Sequence, residues 1–149
     1  MTLKVGDQAP QFELPDQDGV TRKLSDYLGN WLLIYFYPAD ETTGCTAEAC
    51  SIRDSFPKFG EIKTTVLGVS IDSVASHKQF ANNHQLPFTL LSDENKVMTE
   101  AYGVMSQWGK SSRASFLLDP SGKIVKIYEG VIPEDHVGQV LADLKELAK

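Results

Sequence analysis

The chain has 149 residues, 42% hydrophobic and 23% charged. That composition excludes disordered, collagen-like and mucin-like classes, and the length fits one domain over residues 1–149. Fourteen Lys and Arg against 20 Asp and Glu leave a net charge of −6, which disfavours nucleic acid and anionic membranes as partners. No apolar run approaches the ~18 residues of a membrane span, and the opening Met1-Thr2-Leu3-Lys4-Val5-Gly6-Asp7 lacks the apolar core of a secretory signal. A cytoplasmic protein is expected.

Residues 12–14 and 20–24 flank Asp16-Gln17-Asp18-Gly19 and read as a short hairpin. The continuous apolar run 31–37, ended by Pro38, reads as a strand buried on both faces. A helix is expected over 43–56, capped by Thr42 or Thr43 and favoured by Ala47, Glu48 and Ala49. Then follow a strand at 65–70, a helix over 74–83 capped by Asp72 or Ser73, an extended piece at 88–91 and a short helix over 95–102. Segments 115–118 and 123–128 flank the turn Asp119-Pro120-Ser121-Gly122. At the end of the chain, Val137, Val140, Leu141, Leu144 and Leu147 fall at helical spacing and mark one apolar helix face. Strands that alternate with helices and close on a hairpin predict an α/β sandwich around a mixed sheet.

The two cysteines, Cys45 and Cys50, form a close pair, which in a reducing compartment is more often catalytic or metal-binding than structural. Cys45 falls in the first turn of the predicted helix, where unpaired N–H groups and the positive dipole end favour a thiolate. Cys50 lies five residues on. Five helical residues rise ~7.5 Å and turn ~500°, so the Cα atoms lie ~8.6 Å apart and the side chains point ~140° apart. A disulfide needs less than about 7 Å; the two can bond only if the first turns unwind.

Two thiolates without a third cysteine make a poor zinc site. His77, His84 and His136 show no ligand spacing and read as surface or packing residues. No metal or cofactor is expected, since no P-loop or Gly-x-Gly-x-x-Gly is present.

Pro38-x-x-x-Thr42-x-x-Cys45 resembles the peroxidatic motif of peroxiredoxins. Gly44-Cys45-Thr46-Ala47-Glu48-Ala49-Cys50 is similar to the bacterioferritin comigratory protein / peroxiredoxin Q subfamily of the AhpC/TSA superfamily. The likeness extends to Gly6-Asp7-x-Ala9-Pro10-x-Phe12, Gly68-Val69-Ser70 and Arg113-x-Ser115-Phe116-Leu117-Leu118-Asp119-Pro120. It implies a thioredoxin-like fold, a mixed central sheet flanked by helices, with an N-terminal β-hairpin addition.

The same resemblance implies thiol-dependent reduction of hydrogen peroxide and organic hydroperoxides. Cys45 would attack the peroxide and become a sulfenic acid. Thr42 would hydrogen-bond the thiolate and the peroxide, Pro38 would shield the sulfenic acid from water, and Arg113 would stabilise the thiolate. Glu48, on the helix face of Cys45, would partner the arginine from outside. Cys50 would resolve the sulfenic acid as an intramolecular disulfide, which a thioredoxin-type dithiol would reduce. A monomer is expected.

Segment 104–112 is shorter than in many family members; there Met105 and Trp108 read either as an apolar wall at the active-site rim or as a loop tucked onto the core. Two competing readings stay open. A thioredoxin-like thiol–disulfide oxidoreductase without peroxidase activity would need Cys-x-x-Cys, and the spacing here is Cys-x-x-x-x-Cys. A metal carrier would use both cysteines as ligands.

Overall fold

A computed structural model describes residues 3–148, with only the backbone of Glu134; Met1 and Thr2 of the opening segment, and Lys149, lie outside the described residues. Strands β1 (Glu13–Pro15) and β2 (Thr21–Lys23) form the expected hairpin. The central sheet is built from β3 (Trp31–Phe36), β4 (Thr64–Ser70), β5 (Thr89–Ser92), β6 (Ala114–Leu118) and β7 (Ile124–Glu129). Its order is β5-β4-β3-β6-β7. The β3–β4 and β4–β5 pairs are parallel, and the β3–β6 and β6–β7 pairs are antiparallel, which makes the sheet mixed as predicted. The helices are α1 (Thr43–Asp54), α2 (Phe56–Glu61), α3 (Val74–His84), α4 (Val97–Ala101) and α5 (Pro133–Leu147).

Strand β3 shows why an unbroken apolar run suits the centre of a sheet. Its side chains alternate between faces. Leu33 and Tyr35, with Tyr37 beyond the strand, enter one core with Ala49 of α1, Phe59 of α2, Phe80 of α3 and Leu144 of α5. Leu32, Ile34 and Phe36 enter the other core with Leu24, Met98, Tyr102 and Phe116. Opposite Tyr35 in β4 stands Gly68. A Cβ there would lie 2.9 Å from the Tyr35 ring and from Leu90, so the large ring takes the space that the small residue leaves.

Three local expectations need correction. The helix predicted over 43–56 ends at Asp54, and α2 restarts at Phe56 with Pro57 in its first turn, a position where the missing N–H costs nothing. Helix α4 is shorter than 95–102. Asp93 closes its start from outside the helix, accepting from Met98 N, Thr99 N and Thr99 Oγ1 at 3.2, 2.7 and 2.6 Å. On α5, Val137, Val140, Leu141 and Leu144 are buried, but Leu147 in the last turn is exposed. The predicted cap of α3 holds, since Ser76 N donates to Ser73 Oγ at 3.1 Å. No helix among the described residues is long and apolar enough to cross a membrane.

Candidate active site

Strand β3 delivers the chain into loop 37–42 and then into α1, which places Cys45 in the first turn of that helix. Register does the rest. Phe36 pairs with Ala114 across the β3–β6 ladder, so Arg113, one residue before Ala114, sits beside the loop that carries the cysteine. The fold thereby closes a gap of 68 residues: Arg113 Nη2 donates to Cys45 Sγ at 3.1 Å. Arg113 Nη1 reaches Glu48 Oε1 at 3.3 Å. Gly44 makes this approach possible, because a Cβ there would stand 2.6 Å from Nη2.

The thiol and the carboxylate lie inside the protein, and the arginine is partly exposed. Cys45 and Glu48 are each 1% exposed, and the Arg113 side chain is 22% exposed. Burial pushes the Glu48 carboxyl up to about 7, with Arg113 pulling the other way, and Glu48 Oε2 has no hydrogen-bond partner. The Tyr35 phenol is raised well above its ordinary range, first by burial and then by the charges of Glu48 and Cys45. Negative charge is costly in these surroundings, and Arg113 is the cation that Cys45 and Glu48 share.

Cys50 is partly buried on the same helix, and both cysteines are free thiols. With α1 intact from Thr43 to Asp54, the ~8.6 Å separation expected from helix geometry applies. Pro38 is partly buried just beyond β3. Thr42 is the N-cap residue by backbone conformation, but its side chain caps no helix N–H. Its Oγ1 instead donates to Ala39 O at 3.2 Å, and not to the Cys45 sulfur as the resemblance implies.

Arg113 also borders an open cleft of about 510 Å³, walled by Val104, Glu129 and Val131 among others. Met105 and Trp108 are not part of its lining. Segment 104–112 forms a small hairpin of its own, with Ser106 N donating to Lys110 O and Ser112 N to Val104 O, each at 2.8 Å. Trp108 at its tip is 81% exposed; it is not tucked onto the core.

Two of the histidines that the sequence reads as surface or packing residues are buried, and each has specific polar partners. His77 bonds Asp40 Oδ2 at 2.7 Å and Leu91 O at 2.9 Å. His136 bonds Ser115 Oγ at 2.7 Å, and its Nδ1 has no partner. Asp40, Asp72 and His77 bring one ligand atom each within 4.8 Å of one another. No sequence spacing announces these groupings, because each joins residues from different elements.

A mixed α/β sheet that holds a buried thiol at a helix start against an arginine defines a protein of thiol chemistry. A family model described as the AhpC/TSA family matches residues 5–127. Peroxiredoxin Bcp of Bacillus subtilis is 41% identical over 156 aligned residues, covering 100% of this chain and 99% of that protein. A cysteine-to-serine mutant of Xylella fastidiosa PrxQ superposes with a TM-score of 0.94 at 32% identity, over 100% of this chain and 99% of that one. The bacterioferritin comigratory protein of Xanthomonas campestris, solved in work on its alkyl peroxide reduction activity, gives 0.89 at 35% identity over 93% and 92%.

The chain belongs to the AhpC/TSA family. Its fold is thioredoxin-like with an N-terminal hairpin, and its family, its two cysteines and its peroxiredoxin relatives make it a thiol-dependent peroxidase.

Proposed function

We propose that Cys45 is the peroxidatic nucleophile and Cys50 the residue that resolves it, with a thioredoxin-type dithiol as the reductant. The observation that carries this reading is the 3.1 Å contact between Arg113 Nη2 and Cys45 Sγ. A cation at that distance stabilises the thiolate, which is the reactive form. The thiolate attacks the terminal oxygen of a hydroperoxide. An S–O bond forms, the O–O bond breaks, and the departing alkoxide or hydroxide takes a proton to leave as alcohol or water. Arg113 and the free N–H groups of the first turn of α1 are fixed donors for the charge that develops on oxygen.

The other roles follow from position. Thr42 Oγ1 has its hydrogen on Ala39 O, which leaves its lone pairs to accept from the peroxide O–H. Pro38, two residues beyond the end of β3, shields the sulfenic acid from water. Glu48 holds Arg113 through Nη1 while Nη2 faces the sulfur. The Cys50 thiolate then attacks the Cys45 sulfur, an S–S bond forms, and hydroxide leaves as water. Thiol–disulfide exchange with the reductant restores both thiols. Both hydrogen peroxide and organic hydroperoxides are substrates in this reading.

Two free thiols fit the reducing cytoplasm. The protein acts as a monomer in this reading. The deciding experiment treats the reduced protein with one equivalent of hydrogen peroxide and maps both cysteines by mass spectrometry. A Cys45–Cys50 disulfide in wild type, and sulfenic acid on Cys45 alone in Cys50→Ser, is the expected result. Peroxide consumption by Cys45→Ser at the wild-type rate would overturn the assignment.

A further inference from the structure

Loop 37–42 carries Pro38 and Thr42 into α1, and α3 grips it at two places. The inner grip is Asp40. Its Oδ1 accepts from Tyr37 Oη at 2.6 Å. Its Oδ2 meets Ser76 Oγ and His77 Nδ1, each at 2.7 Å. The backbone N of Asp40 donates to Asp72 Oδ2 at 2.8 Å, and Asp72 is held in turn by Ser70 Oγ at 2.7 Å. The His77 and Asp40 side chains are 0% and 2% exposed. The outer grip is Glu41, whose two carboxylate oxygens each meet a side chain from the last turn of α3, Asn83 Nδ2 and His84 Nε2, at 2.7 Å. That grip lies at the surface, where ion pairs contribute little.

Hydrogen positions at the inner grip are set by the partners. His77 Nε2 faces the Leu91 carbonyl, which only accepts, so Nε2 carries hydrogen. Nδ1 faces Asp40 Oδ2, on a carboxylate that already accepts from Tyr37 and Ser76. Burial opposes ionisation of Asp40, but the bonds from His77, Tyr37 and Ser76 outweigh it and hold the carboxyl below its ordinary range. The next residue, Glu41, has φ 61°, a left-handed backbone that persists in a non-glycine residue only where its surroundings impose it.

We propose that Asp40 and His77 are positioning residues for peroxide reduction: their buried pair fixes loop 37–42 on α3, so that Thr42 and the start of α1 present one geometry to the peroxide. The inference rests on Cys45 being the peroxidatic residue. It gives a chemical task to an aspartate inside the proline–threonine–cysteine segment and to a histidine on a different helix. A reacting atom displaced by ~1 Å costs on the order of 100-fold in rate.

The test uses the full chain in a Cys50→Ser background, so that Cys45 is the one thiol present. Two rates are measured: oxidation by hydrogen peroxide and alkylation by iodoacetamide. Alkylation reads the thiolate and its access, and peroxide reduction also reads the donors that the loop and the start of α1 present to the peroxide. Asp40→Asn is expected to slow oxidation about 10–100-fold and to leave alkylation within about threefold. Two further variants separate positioning from packing. In His77→Asn the amide replaces Nδ1 and keeps the bond to Asp40; in His77→Gln it replaces Nε2 and keeps the bond to Leu91. His77→Asn should oxidise within about fivefold of the parent and His77→Gln should follow Asp40→Asn.

An unchanged oxidation rate in Asp40→Asn, an equal loss of oxidation and alkylation, or His77→Gln matching or exceeding His77→Asn would each overturn the proposal. Should Cys45→Ser retain peroxide consumption, the underlying assignment fails independently of these ratios.

Discussion

Gly44 and Arg113 fit against one another: the hydrogen that stands where a Cβ would be leaves room for Nη2, which a methyl group would approach to 2.6 Å. The clash is with the far end of a flexible side chain, so the arginine can move aside at little cost to the fold. Gly44→Ala should therefore separate stability from activity. An alanine inside a helix is favoured over glycine by up to ~1 kcal/mol, so the denaturation midpoint should hold or rise. The peroxide rate constant should fall about 10–100-fold as Nη2 leaves the sulfur. Unchanged kinetics in a folded Gly44→Ala would show that the contact with Cys45 is dispensable.

Arg113 supplies both a charge and a directed donor. Arg113→Ala should slow oxidation of Cys45 by at least about 100-fold in stopped-flow measurements. Arg113→Lys should recover only part of that loss. A lysine is a point charge and cannot bond Cys45 and Glu48 from two nitrogens of one planar group. Equal rates for Arg113→Lys and wild type would mean that charge alone suffices.

Disulfide formation should unwind the start of α1. The helix must lose about two turns to bring Cα atoms ~8.6 Å apart within the disulfide limit of about 7 Å. Several hydrogen bonds of ~1 kcal/mol net each are given up and partly replaced by water. Amide exchange across residues 43–51 should accelerate on oxidation, and β3 should stay protected. The change should stop near Arg53, whose Nη1 is bonded to His84 O at 2.8 Å and pins the helix to α3. Slow exchange throughout α1 in the oxidised protein would rule out Cys50 as the intramolecular resolving residue.

Two buried groups should give opposite pH dependences. Glu48 keeps its proton in the fold up to about pH 7, whereas the unfolded side chain releases it near 4.5. The native state binds more protons in that window, so this group makes stability fall as pH rises through it. His136 has its folded value lowered by burial to about 4, against 6.5 unfolded. There the unfolded state binds more protons, and stability present above pH 6.5 is lost as pH falls toward 4. Each displacement corresponds to about 3 kcal/mol, so the two nearly cancel between pH 4.5 and 6.5. Glu48→Gln should unmask stability that rises with pH, and His136→Gln stability that falls with it. Urea midpoints at pH 4.5, 5.5 and 6.5 check this; parallel curves for all three proteins would refute it.

Much of the framework can be read along the chain. The run before Pro38, the helix that carries both cysteines and the Asp119–Gly122 turn follow from local patterns, and those patterns persist because each is repeated over neighbouring residues. Cys45 is legible for the same reason: its helix-start position is a matter of a few residues. Arg113 is different. Nothing local distinguishes it from a surface arginine, and only the family resemblance singles it out.

What the chain order leaves open, the sheet register decides. The antiparallel β3–β6 pairing brings Arg113 to a sulfur 68 residues away, and the packing of α3 under the loop joins Asp40 to His77 across 37. Local rules also misplace hydroxyls and loops. Thr42 sits where a capping residue belongs yet bonds Ala39, and Trp108 is apolar yet exposed. Periodicity and capping signals act over about one helical turn, so the sequence by itself determined most of the elements and the helix-start position of Cys45. The partners of that thiol, and the protonation of Glu48 and His136, depend on which distant side chains and how much solvent surround each group, and tertiary packing alone fixes those.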